Sequence, residues 1–216
     1  MQTLPGPVTA DDVDRVVDIA VTALSAQLTR DWHAPAAVGS WDCWETVEHI
    51  GDSLLYYATQ LVPVRESIAG AYPFDYFAKR AGGPEGIVFA NPDRGAAGLL
   101  RVLNACGGLL SALVRAAPPG HTAHHMWGHA DAEGFAAMGV VEVLAHLFDV
   151  AAPLQIDWPA PDDVCARTLA RLFPDAPMQT PPAATLLWAT GRGPLPGRPP
   201  LDEWRWYGAP RTGGTR

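Results

Sequence analysis

The sequence predicts an all-α protein in which a four-helix bundle is followed by a short helical, proline-rich extension. Apolar residues recur at helical spacing in four long stretches, and proline or glycine interrupts the chain between them. The hydrophobic fraction of 48% in 216 residues is enough to fill one core. We therefore assign residues 1–152 to the bundle and residues 153–216 to an extension that packs on it, which makes one domain overall.

The first two predicted helices have recognisable starting signals. The run Thr-Ala-Asp-Asp at 9–12 is typical of a helix N-terminus, and helix one is expected to reach about residue 31. Asp42 with Glu45 three residues later fits a capping box, from which helix two is expected to run to about residue 61. His49 lies on the second, more polar face of helix two.

The stretch 63–92 separates helices two and three and is rich in proline, glycine and aromatic residues. A connection of this length in a compact domain either covers a site as a lid or simply packs over one end of the bundle, and both alternatives are open. Helix three is expected over about 93–117. Helix four is expected over about 133–152, where Pro153 stops it.

The extension is predicted to contain two short helices, over about 162–172 and 182–189, with a short strand or ordered tail at 203–207. Gly191-Arg192-Gly193 is assigned a helix-ending role. Several other residues are predicted to pack in the core or at the bundle ends rather than to line a site. These are Trp32, Trp41, Cys43, Trp44, Tyr57, Trp204 and Trp206.

Charge and cysteine content exclude several classes of function. The net charge of -8 has no basic block along the chain, which argues against a nucleic-acid partner. The N-terminal residues lack a signal-peptide pattern, and charged or polar residues interrupt the most apolar run, so no membrane association is predicted and a cytoplasmic location is expected. Three unpaired cysteines suggest neither a disulfide framework nor a cysteine zinc site.

A polar stripe in helix four is the best clue to function. Glu142 and His146 are four residues apart in a run that is apolar around nearly its whole circumference, and Asp149 follows within one further turn. Buried ionisable groups are costly unless they are paired, hydrogen-bonded or bound to a metal. The pattern therefore predicts either a divalent metal site or an ordinary buried hydrogen bond.

A catalytic divalent site needs a third protein ligand, and His49 on helix two is the natural candidate. Two imidazoles and one carboxylate suit zinc best, with nickel, cobalt or iron as alternatives, and leave positions open for water or substrate. Asp149 is expected to accept a hydrogen bond from a ligand histidine and so fix its tautomer.

Four histidines occur in the run before helix four, at positions 121, 124, 125 and 129. An exposed polar loop is the simpler interpretation of this cluster, and a second metal site is the alternative. His129 is nearest to helix four, so it is the candidate to reach over the metal as a general acid or base.

Two segments of the chain resemble a known family. Trp41-Asp-Cys-Trp-Glu-Thr-Val-Glu-His49-Ile-Gly-Asp-Ser-Leu-Leu-Tyr-Tyr57 and Met138-Gly-Val-Val-Glu142-Val-Leu-Ala-His146-Leu-Phe-Asp149 look like the mycothiol-dependent maleylpyruvate isomerase N-terminal domain family of the DinB-like superfamily. The similarity spans roughly residues 10–195, and the Trp/Cys/Trp version of the first motif resembles an actinobacterial branch of these proteins. The ending Leu186-Leu-Trp-Ala-Thr-Gly-Arg192 is also similar.

The resemblance implies a DinB-like four-helix bundle that holds a divalent metal through His49, Glu142 and His146. It also implies an enzyme whose metal lowers the pKa of mycothiol or water, for transfer to, or isomerisation of, a small electrophilic molecule. The expected partners are a small-molecule substrate and a thiol, and the protein is expected to be a monomer or homodimer. The alternatives are a non-catalytic metal- or ligand-binding bundle, and a structural protein in which Glu142 and His146 merely hydrogen-bond to each other.

Overall fold

The computed structural model describes residues 5–62, 70–201 and 203–210 of the chain. Within them the chain is mostly helical, as predicted, with two small antiparallel hairpins. In chain order the elements are α1 (Ala10–Ser25), α2 (Cys43–Gln60), β1 (Phe77–Ala78), β2 (Glu85–Gly86), a 3₁₀ turn (Pro92–Arg94), α3 (Gly95–Ala116), β3 (Thr122–His125), β4 (Gly128–Asp131), α4 (Ala132–Leu154), α5 (Asp162–Leu172) and α6 (Pro182–Ala189).

The four long helices pack against one another around a shared apolar core. α2 contacts α3 and α4, α1 also contacts α3 and α4, and α3 touches α4. The core is densest along α4, where Phe135, Met138 and Leu147 are fully buried. An apolar helix surrounded in this way explains why α4 shows so little amphipathic pattern in the sequence.

The helix starts follow the predicted capping signals. Asp42 accepts a hydrogen bond from the backbone N–H of Glu45, and the Glu45 side chain accepts one from the backbone N–H of Asp42, which confirms the predicted capping box of α2. Thr9 and Asp12 form a second box at the start of α1. α1 ends at Ser25 rather than near residue 31, because the chain continues in turns after that point.

Pro153 does not stop α4 where it was predicted to. The helix continues to Leu154 and ends at Gln155, which adopts the left-handed conformation with φ 57°. Proline in a helix leaves the carbonyl four residues earlier without its N–H donor. Here the Asp149 carbonyl instead accepts from the backbone N–H of Ala37 at 2.7 Å, so the last turn loses no hydrogen bond.

The connection between α2 and α3 packs along α2. The backbone N–H groups of Ile87 and Val88 donate to Asp52 Oδ1 at 2.7 and 2.9 Å, and the backbone N–H of Ala90 donates to Glu48 Oε1 at 2.8 Å. Buried carboxylates on α2 thus bind the returning chain. Part of the predicted 63–92 connection, residues 63–69, lies outside the described residues.

The histidine-containing run before α4 forms a hairpin rather than the predicted loop; His129 is exposed as predicted, whereas His125 is buried. β3 and β4 are antiparallel, with His124 opposite His129 and His125 opposite Gly128. Side chains alternate between the two faces of a strand, and directly opposite residues share a face. His124 and His129 therefore share one face, and His125 lies on the other.

The C-terminal region packs on the long helices. α5 contacts α4 and α6, and both predicted helices of this region are confirmed at their predicted positions. Within 203–210 the chain forms neither helix nor strand, which fits the ordered-tail alternative. Arg171 of α5 holds this tail by donating to the carbonyl oxygens of Tyr207 and Gly208 at 3.3 and 2.9 Å. The division at residue 152 stays a prediction.

Among the described residues, two helices are long and apolar enough to cross a membrane by length and composition alone, Pro92–Ala116 and Ala132–Leu154. The core helix of a soluble protein passes the same test. In Ala132–Leu154, 78% of the apolar window is buried inside the structure, so packing explains its composition.

Candidate metal centre

The structure brings together the three side chains that the sequence predicted as ligands. Potential ligand atoms of His49, Glu142 and His146 all lie within 4.8 Å of one another. Glu142 Oε2 is 3.9 Å from His49 Nε2 and 3.3 Å from His146 Nε2. α2 and α4 therefore direct two imidazoles and one carboxylate oxygen toward one point.

The carboxylate of Glu142 is oriented by Tyr57. The Tyr57 hydroxyl donates to Glu142 Oε1 at 2.8 Å, which leaves Oε2 directed at the two histidines. Burial by itself would raise the pKa of Glu142, but the hydrogen bond with His146, the nearby imidazoles and the Tyr57 hydroxyl outweigh it and hold this pKa below its usual range. Glu142 is thus anionic at neutral pH.

His146 belongs to a chain of hydrogen bonds that leads away from the ligands. Its Nδ1 lies 2.9 Å from Asp149 Oδ2. Arg192 then donates to the same carboxylate, from Nε to Oδ1 at 2.9 Å and from Nη2 to Oδ2 at 2.8 Å. An acceptor at Nδ1 holds a proton on that nitrogen, which leaves Nε2, on the side of Glu142, as the nitrogen that can bind a cation.

His49 is partly buried and neutral. Desolvation lowers its pKa to about 4, more than the Glu142 carboxylate can raise it. Its Nε2 lies 3.4 Å from Ser53 Oγ, and its Nδ1 is buried with no hydrogen-bond partner in the part of the chain that the structure describes. The ring of Trp41 packs against it with centroids 4.8 Å apart, and also contacts His146 at 6.2 Å.

The donor set fits a divalent metal. A side chain must be deprotonated at the atom that binds a metal cation. His49 offers a neutral imidazole and Glu142 a carboxylate. His146 offers a second imidazole, whose Nδ1 is already hydrogen-bonded to a carboxylate. These features match the requirements of a three-ligand site with positions left for water or substrate.

The triad opens into a cavity of about 510 Å³. The cavity lies between α2, α4, the 70–91 part of the connection, the β3–β4 hairpin and the C-terminal tail. Its lining is rich in aromatic side chains, and the residues are Trp41, His49, Asp52, Ser53, Tyr56, Tyr57, Tyr76, Glu85, His125, Met126, Trp127, Val141, Glu142, Ala145, His146, Arg192, Trp204 and Trp206. A predominantly apolar cavity with a few convergent polar groups is typical of a small-molecule site. We refer to it as the triad pocket.

His129, the predicted general acid or base, is exposed and does not line the triad pocket. His125 does line it and is only 4% exposed. The physical reason is the strand alternation described above, which places neighbouring histidines on opposite faces of the hairpin. Proximity to α4 in sequence was therefore a poor guide to proximity in space.

His125 is held in one tautomer by the hairpin itself. The backbone N–H of Trp127 donates to His125 Nδ1 at 3.1 Å, so a neutral ring carries its proton on Nε2. Desolvation lowers the pKa of His125 to about 4, despite the opposing effect of Glu142. The ring packs against Tyr57 and Trp206 with centroids 5.9 and 5.8 Å away.

Sequence reasoning missed several residues of this pocket. Trp41, Tyr57, Trp204 and Trp206 were assigned to packing, and Arg192 to a helix end, but all five line the cavity. Tyr57 follows His49 by eight residues, so the helical period could have placed it on the ligand face. Trp204, Trp206 and Arg192 reach the pocket through tertiary packing, for which the sequence carries no periodic signal.

Comparisons with known proteins support the fold. No protein-family model matches this chain, and neither does any curated protein. A crystal structure of a single-residue mutant of mycothiol-dependent maleylpyruvate isomerase is similar, with a TM-score of 0.52 and 16% sequence identity over 85% of this chain and 90% of that chain. At this identity the likeness shows a shared fold, and substrate and activity do not follow from it.

Proposed function

We propose that this protein is a divalent-metal-dependent enzyme of the maleylpyruvate isomerase type on a DinB-like four-helix bundle. It would activate a low-molecular-weight thiol, mycothiol, or water for transfer to, or isomerisation of, a small electrophilic molecule. The observation that carries the proposal is the convergence of His49, Glu142 and His146 within 4.8 Å at a pocket of about 510 Å³. The shared fold with a mycothiol-dependent isomerase supports it.

The three proposed ligands differ in how the protein supports them. His146 is supported by Asp149 and Arg192, and Glu142 by Tyr57. When bound, a divalent metal, with zinc favoured by two imidazoles and a carboxylate, lowers the pKa of a thiol or water and so supplies a nucleophile near neutral pH. The protein fixes the positions of the ligands before anything binds, which reduces the reorganisation needed during the reaction.

His125 takes the place that His129 held in the prediction. Its fixed tautomer offers an N–H donor from a ring that lines the triad pocket. A neutral imidazole donor can stabilise negative charge that develops on a carbonyl or leaving-group oxygen of the substrate. We propose this role rather than proton exchange, since a pKa of about 4 keeps the ring neutral throughout the ordinary pH range.

A thiol nucleophile has to come from outside the chain. Cys43, Cys106 and Cys165 are all buried, and burial raises their pKa values to about 11, 11 and 12. None of them lines the triad pocket. A protonated, buried thiol is a poor nucleophile, so a thiol reaction at this site requires a thiol co-substrate.

The experiment has two parts. Metal content is measured on protein purified without a nickel column, for the wild type, His49→Ala, His146→Ala and the hairpin control His124→Ala. We expect one metal ion per chain in the wild type and the control, and loss in the two ligand variants. Absence of stoichiometric metal from every sample would contradict the metal site.

Activity is then assayed with mycothiol and a panel of electrophiles that includes epoxides, monochlorobimane and maleylpyruvate. We expect thiol-dependent turnover that Glu142→Ala abolishes. Stoichiometric metal without turnover above the Glu142→Ala background would instead favour the non-catalytic binding alternative. A cytoplasmic location and a monomeric or homodimeric state stay predictions.

A further inference from the structure

Most of the charged side chains that line the triad pocket are negative. Among the residues that the structure describes, three carboxylates line it, from Asp52, Glu85 and Glu142, against one arginine, Arg192. Glu85 is exposed, and its side chain has no hydrogen-bond or ion-pair partner among the described residues. The charge of Glu85 is therefore available to whatever enters the pocket.

The arginine of the described lining is already paired. Arg192 donates to Asp149 from Nε and Nη2, at 2.9 and 2.8 Å, and to the Thr190 carbonyl from Nη1 at 3.0 Å. Its side chain is only 8% exposed, and the carboxylate that it pairs with cancels its charge. Arg192 thus contributes little net positive potential to the pocket.

The basic residues of the connection are also paired, and their partners lie outside the pocket. Lys79 donates to both carboxylate oxygens of Glu48, at 2.9 and 3.0 Å. Arg80 donates to both oxygens of Glu45, at 2.6 Å each. Neither Lys79 nor Arg80 lines the triad pocket, so no free basic side chain from the described part of the connection meets a ligand there.

The outer wall of the pocket is aromatic. Trp127 packs edge to face on Trp204 and Trp206, with ring centroids 6.2 and 4.9 Å apart, and the Trp204 and Trp206 rings are tilted against each other at 5.6 Å. Met126 beside them is 76% exposed at the tip of the hairpin. Such a surface binds apolar and aromatic bodies, and the faces of tryptophan rings attract cations.

We propose that the triad pocket selects small molecules with an aromatic or otherwise apolar body that are cationic or uncharged, and that it disfavours carboxylates. This inference rests on the proposed function, whose electrophile it restricts to that class. A divalent ion on the triad would offset two of the three lining carboxylates without reversing the sign of the pocket. A dicarboxylate would therefore be a poor substrate, and an amine-bearing or neutral aromatic electrophile a good one.

The test uses three probes with one aromatic body and different charge: 2-naphthylmethylammonium, 2-naphthylmethanol and 2-naphthoate. Their affinities are measured by titration calorimetry at neutral pH, with EDTA-treated protein so that a carboxylate cannot bind through a metal, and again after zinc is added. In the EDTA-treated protein we expect the ammonium probe to bind about tenfold more tightly than the alcohol, and the naphthoate to bind most weakly. Equal affinity for all three, tighter binding of the naphthoate, or no binding of any probe at millimolar concentration would overturn the proposal.

Charge reversal at the rim gives a second, independent test. Glu85→Lys is expected to weaken binding of the ammonium probe about tenfold and to strengthen binding of the naphthoate. The control Asp18→Lys changes the net charge equally at an exposed position of α1 outside the pocket, and is expected to leave the order and the affinities unchanged. An equal effect of both variants would show that only the overall charge matters and would contradict the proposal.

A third variant separates the aromatic wall from the charges. Trp127→Ala is expected to lower the affinity for all three probes and to preserve the order of these affinities. Since none of these titrations requires turnover, the expected order in a protein that proves inactive would retain this inference and reject the proposed function. Tightest binding of the naphthoate in an active enzyme would reject this inference and retain the proposed function.

Discussion

Arg192 and Asp149 form a bidentate ion pair directly behind a proposed metal ligand. The guanidinium donates from Nε to Asp149 Oδ1 at 2.9 Å and from Nη2 to Oδ2 at 2.8 Å, and Oδ2 also lies 2.9 Å from His146 Nδ1. Both side chains are buried, at 8% and 3% exposure. The last turn of α4 and the chain after α6 are thus joined at the point where His146 is oriented.

The first prediction concerns this ion pair. Arg192→Ala removes the guanidinium from the buried Asp149 carboxylate, which keeps only His146 as a partner, and this should cost about 3–5 kcal/mol of unfolding free energy. Arg192→Lys restores a charge but not the paired hydrogen bonds, so we expect an intermediate loss of stability and about a tenfold loss of metal affinity. Urea unfolding and a competitive chelator titration measure the two effects. Unchanged metal affinity in both variants would show that Arg192 does not act through His146.

The second prediction concerns the hydroxyl of Tyr57. Tyr57→Phe removes the donor to Glu142 Oε1 and frees the carboxylate to rotate, so metal affinity should fall about tenfold. The metal-free protein should lose about 1–3 kcal/mol, because a buried acceptor is left unsatisfied. The control is Tyr56→Phe, a neighbour whose hydroxyl makes no hydrogen bond within the described residues. Equal effects of the two variants would contradict the specific role of Tyr57.

The third prediction distinguishes the two histidines of the hairpin. His125→Ala should lower thiol-dependent turnover by about a hundredfold with metal content unchanged, as for loss of one donor to a developing negative charge. His129→Ala should change neither quantity, since His129 is exposed and outside the triad pocket. His125→Gln retains a donor and should recover part of the rate. The reverse result, with His129 required, would restore the assignment made from the sequence.

The fourth prediction concerns the cysteines. Burial raises the pKa values of Cys43 and Cys106 to about 11 and that of Cys165 to about 12, so the native protein should react with a disulfide reagent near pH 8 only as slowly as it unfolds. In denaturant all three thiols should react at once. A rapidly reacting thiol in the native state would show that one of these side chains is exposed, and would reopen the question of an internal nucleophile.

The fifth prediction concerns the attachment of the connection to α2. Asp52→Ala removes the acceptor of two backbone N–H groups, from Ile87 and Val88, and should make the 70–91 part of the connection more susceptible to limited proteolysis. Asp52→Asn retains the Oδ1 acceptor and serves as the matched control, with cleavage close to the wild-type rate. Equal protection in all three proteins would mean that these hydrogen bonds do not hold the connection.

Sequence reasoning succeeded where a local signal existed. The capping residues Asp42 and Glu45 marked the start of α2, and the four-residue spacing in α4 placed Glu142 and His146 on one face. Their meeting with His49 required only that α2 and α4 be neighbours, which the resemblance implied. Helix periodicity and caps are properties of short segments, so they can be read without the fold.

Sequence reasoning failed where the position of a residue depends on tertiary contacts. Pro153 was predicted to stop α4. The sequence does not show that the N–H of Ala37 replaces the donor that the Asp149 carbonyl loses to this proline. His129 was preferred to His125 because the sequence does not reveal the register of the β3–β4 hairpin. A shift of one position in the register moves a side chain to the opposite face of the strand. The approach of Trp204 and Trp206 depends on Arg171, which fixes the tail from α5.

The separate origin of the pocket walls has a consequence for how such a protein can diversify. The proposed ligands come from rigid core helices, whereas Tyr76, Glu85, Trp127, Trp204 and Trp206 come from three surface segments that those helices do not constrain in length. Insertions and exchanges are tolerated far better in surface segments than in a packed core. Related chains could therefore exchange one preferred compound for another by altering these segments alone, while the same reactive centre is inherited intact.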